Sequence, residues 1–147
     1  MKNLYSILLI FIITLGCTRS DTTIPKTQAE VDLDISELVF RYQFENNASG
    51  AQGKAAMYCL ELFGQNPTPD FMERFDGHLP PVEVDSKFKL GEGLVFRIEK
   101  ITRVNEAKIE VEGGYYEGGL SSSGCTYTVV KTNGEWQVTS HRLNWIS

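Results

Sequence analysis

Asn133-Gly134 stands between two runs of alternating residues, Cys125 to Val130 before it and Trp136-Gln137-Val138 after it. Asn-Gly tolerates the positive φ angles of a two-residue hairpin better than other pairs, so two antiparallel strands are expected to meet there. The period of two begins earlier. Leu94 to Arg103 reads as a strand and Asn105-Glu106 as a turn. Ala107, Ile109 and Val111 then alternate with Lys108, Glu110 and Glu112, which describes a strand with one buried face. The C-terminal half is thus expected to be a four-strand antiparallel meander. In its last strand Trp136 and Val138 share one parity, and Leu143 and Trp145 share the other. A bulge within Thr139–Arg142 would return the apolar side to the core. Gly113, Gly114, Gly118, Gly119 and Gly124 cluster in these strands. Glycine there marks either a bent sheet or a close approach of a ligand to the backbone, and the bent sheet is the expected reading.

The N-terminal half has helical spacing. Val31, Ile35, Leu38, Val39 and Tyr42 recur at helical intervals within Gln28 to Asn46, with acids in the early turns, and Asn46 to Gly50 supplies the stop. Lys54 to Phe63 fits a strand better than a helix, because aromatics precede a Gly64-Gln65-Asn66-Pro67 stop. Thr68-Pro69-Asp70 should cap a short helix carrying Phe71, Met72 and Phe75, and Asp76-Gly77 should end it. Leu79-Pro80-Pro81 reads as a loop.

A different segment precedes all of this. Lys2 is followed by an apolar run of 12 residues, Leu4 to Leu15. Spanning the hydrocarbon core takes about 20 residues. Twelve matches the apolar core of an export signal. The run ends in Thr14-Leu15-Gly16-Cys17, which resembles the lipobox of bacterial lipoproteins, although Thr14 replaces the usual Leu or Val. That resemblance implies a signal over residues 1–16, a lipidated tether over 17–27 starting at Cys17, and one domain over 28–147. It also implies a cell-envelope protein held on a membrane, the outer membrane being the expected one. Several acyl chains give stable anchoring where one gives reversible binding. The alternative is an ordinary signal peptide beside an incidental cysteine. Removal of residues 1–16 takes away only one charged residue, Lys2, and moves the net charge from −5 to −6. That balance argues against nucleic acid as a partner.

With Cys17 acylated, Cys59 and Cys125 remain, and an even pair in an exported chain is expected to form a disulfide. Two separate buried thiols are the alternative. The chain has no CxxC, and its two histidines, His78 and His141, are far apart in sequence, so no metal or other cofactor is expected.

A long first helix, a strand, a short helix and then long antiparallel strands resemble the NTF2-like (cystatin-superfamily) α+β fold. Its final hairpin is similar to Tyr127-Thr128-Val129-Val130-Lys131, Gly134-Glu135-Trp136-Gln137-Val138 and Ile146-Ser147 here. The resemblance implies a curved antiparallel sheet closing around the first helix as a cone. It does not imply one function, since that superfamily includes enzymes, transport factors, immunity proteins and binding domains. If the cone is open, Tyr58, Phe96, Tyr115, Tyr127, Trp136 and His141 are the candidate pocket residues. Asp70, Asp76, His78 and Tyr116 are further polar candidates, but none of these residues has a spacing that demands catalysis. The expected function is a non-enzymatic module binding a protein partner or a small apolar ligand. The alternatives are a small enzyme acting on an apolar molecule and an immunity or inhibitor lipoprotein.

Overall fold

The computed structural model describes residues 25–119 and 121–147. The expected signal, Cys17 and most of the tether lie outside the described residues.

Helix α1 (Gln28–Glu45) opens on Thr27, whose hydroxyl accepts from the Glu30 amide at 3.3 Å while the Glu30 carboxylate accepts from the Thr27 amide at 2.6 Å. This reciprocal pair satisfies two amides that the helix itself leaves without partners. The buried side of α1 carries Ile35, Ser36, Val39, Phe40, Gln43 and Phe44. It is rotated from the expected stripe: Val31, Leu38 and Tyr42 sit on its shoulder, partly buried. The two phenylalanines draw the helix round, because their large rings pack inward, Phe44 on Tyr58 and Phe96 and Phe40 on Phe71 and Phe75.

The strands are β1 (Met57–Leu62), β2 (Val82–Val84), β3 (Gly93–Asn105), β4 (Lys108–Gly118), β5 (Ser121–Thr132) and β6 (Glu135–Ile146). A short helix, α2 (Pro69–Met72), lies between β1 and β2, capped by the Thr68 hydroxyl with Pro69 in the first turn. Strands β3 to β6 form the expected meander. The turn between β5 and β6 is the two-residue Asn133-Gly134, with φ of 54° and 89°. Those two left-handed residues match the twist of the flanking strands.

The sheet is mixed rather than antiparallel throughout, with order β2-β1-β3-β4-β5-β6. Strand β1 runs parallel to both β2 and β3. After β1 the chain passes through α2 and the Pro80-Pro81 loop to place Val82 opposite Tyr58, and a second crossing places Gly93 opposite Met57. Such returns to the strand's own starting end require long connections, which residues 63–81 and 85–92 provide. The sheet does not close on itself; β2 and β6 are its edges. Helix α1 meets β3 on one side and β6 on the other.

One face packs on α1. Leu60, Phe96, Ile98, Ile109, Val111 and Val129 are wholly buried there. On the opposite face residues 85–87 pack on β1, and Phe88 stacks edge-on against Tyr116 of β4 at 5.6 Å, beside Val95 of β3. This cover explains why Cys59 and Val95 are buried although they alternate with the residues facing α1.

The glycines make room for the protein's own atoms. A Cβ on Gly113 would strike the Arg97 carbonyl, one on Gly114 the Ser123 carbonyl, and one on Gly124 the indole of Trp145. Two bulges mark β6. The first leaves Thr139 without a partner, within the expected window, and turns Leu143 to the α1 face opposite Cys125. The second, at Asn144, sends Trp145 over Gly124 on the other face. The single bulge expected from the sequence therefore accounts for Leu143 and not for Trp145.

The expected disulfide is absent. Cys59 and Cys125 are both free and buried. Strands β3 and β4 separate β1 from β5, a span of roughly 14 Å at the usual strand spacing. A disulfide needs Cα atoms within about 7 Å. The two side chains also lie on opposite faces, Cys59 under residues 85–87 and Cys125 toward α1. Burial, reinforced by the Asp85 and Glu83 carboxylates, pushes the Cys59 thiol up to about 11. It should stay protonated and slow to react in the native protein below about pH 9, the ordinary thiol range. Alkylation after unfolding without reductant should modify both residues, as read by mass spectrometry; a linked Cys59–Cys125 peptide would contradict this.

Candidate functional site

The sheet and α1 leave a cleft of about 260 Å³ at the C-terminal end of the helix. Asn46, Asn47 and Ala48 form one wall, just past the last turn of α1. Tyr115 from β4, Ser123, Cys125 and Tyr127 from β5, and His141 and Leu143 from β6 form the other. The first bulge in β6 brings Leu143 to this wall.

The cleft has an apolar floor and a polar lip. Tyr127 is buried, and burial raises its hydroxyl well above the ordinary phenol range; the nearby Cys125 thiol adds to the rise and the Gln43 amide opposes it. Burial also raises Tyr115, against the pull of the Ser121 side chain. Both phenols therefore keep their protons at neutral pH and can donate but not act as bases. On the lip the Tyr42 hydroxyl lies 2.9 Å from Nδ1 of His141. Their rings meet edge-on, and Tyr127 stands beside both at 6.0 Å. This aromatic contact ties α1 to β6 across the top of the cleft.

Below α1, Gln43 donates from Nε2 to the Arg97 carbonyl at 3.1 Å, while its Oε1 is buried without a partner. Asn47 donates to the Gln43 carbonyl at 2.9 Å, and its own Oδ1 accepts from the Ser49 amide at 3.0 Å. Ser49 and Ser121 both donate to Glu117, each at 2.8 Å. These bonds hold the segment after α1 against the β4–β5 hairpin and so fix the cleft's mouth.

The candidate pocket residues separate into three groups. Tyr115, Tyr127 and His141 share the cleft. Tyr58 and Phe96 do not reach it. Their rings lie 5.1 Å apart, and each is within 5.1 Å of Phe44, deep in the core. Trp136 lies at the opposite end of α1, between a hollow of about 500 Å³ beside Gln28, Val31, Arg103 and Lys131 and one of about 350 Å³ beside Leu38, Arg41 and Glu135. Of the other polar candidates, His78 packs on Phe44 and Tyr58 with Nδ1 2.8 Å from the Pro80 carbonyl. Tyr116 is on the far face under Arg97. Asp70 and Asp76 are exposed.

Sequence reasoning missed Tyr42, Asn46, Asn47, Ser123 and Leu143. The parity break at Leu143 was the one signal that could have pointed to the cleft. Among the described residues no group of three His, Cys, Asp or Glu side chains could hold a metal ion. No described helix is long and apolar enough to cross a membrane. No protein-family model, curated protein or solved structure matches the chain.

Proposed function

We propose that this chain is a lipid-anchored cell-envelope protein whose single NTF2-like domain binds a partner without catalysing a reaction on it. The observation that carries the reading is the 12-residue apolar run after Lys2 that ends in Gly16-Cys17. It is too short to span a bilayer and has the length of an export signal. The α+β order, helix first and meander last, supports the NTF2-like arrangement. The cleft supports binding: its apolar floor and two protonated phenols offer contact area and hydrogen-bond donors. Acylation of Cys17 would hold the domain at a membrane through residues 18–27.

Replacement of Cys17 tests the anchor. Expressed in a bacterium, the C17S protein should move from the membrane fraction to the soluble fraction and lose incorporation of labelled palmitate. Retention of both in C17S would overturn the lipoprotein reading.

A further inference from the structure

Strand β6 is an edge of the sheet, and from Thr139 onward both its faces are exposed. Leu143, Trp145 and Ile146 are each about half exposed, at 50%, 49% and 57%. An edge strand presents unpaired main-chain N–H and C=O groups, which are complementary to another extended strand. The two bulges limit where such pairing can be regular. Between Thr139 and Asn144 only Ser140, His141, Arg142 and Leu143 hold an unbroken register, opposite Thr128, Tyr127, Thr126 and Cys125. Two of those four, His141 and Leu143, line the cleft.

We propose that β6 receives a short extended segment of a partner protein as an added strand along Ser140–Leu143, with an apolar side chain of that segment seated in the cleft. This rests on the reading of the domain as a binding module and names its partner's chemistry. Main-chain bonds along the edge would supply affinity, and the cleft would select the side chain. A cleft of about 260 Å³ floored by Tyr115, Cys125, Tyr127 and Leu143 suits a leucine- or phenylalanine-sized group. On the opposite face of the same window stands Arg142, which makes no ion pair among the described residues. The segment is therefore apolar toward the cleft and acidic on its other side. A second copy of β6 fits less well. Its own two bulges would meet the two here, and it would bring Arg142 and not a carboxylate.

The test uses the full chain in detergent micelles, labelled with ¹⁵N, and a blocked hexapeptide in which leucine alternates with glutamate and threonine. Amide shifts should cluster at Ser140–Leu143, Tyr115 and Tyr127. A version N-methylated at alternate amides should bind at least about tenfold more weakly, because it loses main-chain donors. Leu143→Glu should abolish the shifts while leaving the rest of the spectrum folded. Shifts elsewhere would overturn strand addition while leaving a binding module. No shifts at millimolar peptide, or equal binding of the N-methylated peptide, would overturn it as well. Sedimentation showing a dimer that Leu143→Glu dissociates would replace the partner segment with a second copy. The fate of C17S is read separately by fractionation, so failure of the anchor and failure of the edge are distinguishable.

Discussion

Gly114→Ala should strongly destabilise the domain. Its new Cβ would fall on the Ser123 carbonyl oxygen, 2.8 Å from the carbonyl carbon and 3.1 Å from the Gly124 Cα. All three atoms are main chain of the neighbouring strand, so no rotamer change relieves the clash. Strands β4 and β5 would have to separate at the centre of the meander, where Gly114 pairs with Gly124. Overpacking of this kind costs about 3 kcal/mol or more, a large share of the roughly 5–15 kcal/mol that holds a domain folded. Gly50→Ala is the control, because its nearest contact, the Glu117 carboxylate at 3.9 Å, is at ordinary van der Waals distance. Urea unfolding should show a much lower midpoint for Gly114→Ala, and a change within about 0.5 kcal/mol for Gly50→Ala. Equal midpoints for the two variants would refute the strand spacing described above.

Phe96→Ala has the next largest expected effect, a loss of about 3–5 kcal/mol. Phe96 is wholly buried on β3. It lies between Phe44 at 5.1 Å and Tyr58 at 5.1 Å, the latter edge-on at 85°. Truncation leaves a void, because α1 is held by its other contacts and cannot settle into the gap. Phe96→Leu should recover part of the loss by refilling some of that volume. If Phe96 instead lined an open pocket, Phe96→Ala would cost little stability. Thermal melts of the two variants decide between core and pocket wall.

That ambiguity marks the limit of what the sequence made legible. Elements whose residues carry local signals were readable: Asn133-Gly134 for the hairpin, Thr68-Pro69 for the α2 cap, and the alternation through Ile109 and Val111 for β4. These depend on neighbours a few residues away. Strand β2 was missed because Val82–Val84 is three residues long and paired only through a crossover. The parallel pairing of β1 was missed for the same reason: it depends on where a long connection returns the chain. Of the candidate site, Tyr115, Tyr127 and His141 were named but could not be told apart from Tyr58 and Phe96. All are aromatic or partly apolar residues on strands facing the same helix. Only the side of α1 on which their strands lie separates them, β1 and β3 against Phe44 and β4 to β6 at the cleft, and Cys59 and Cys125 were paired in error because an even count of cysteines does not say which strands lie between them.

Helix α1 also fixes a direction. Its 18 residues span about 27 Å at the usual rise. Residues 25–27 lead into its first turn, and the cleft opens past its last. Under the proposed acylation of Cys17, the lipid would enter the domain from one end of this helix while the cleft lies at the other, so the helix holds the two apart. A partner strand could then dock on β6 without entering the lipid headgroups, and changes in tether length would alter the domain's reach while leaving the cleft itself intact.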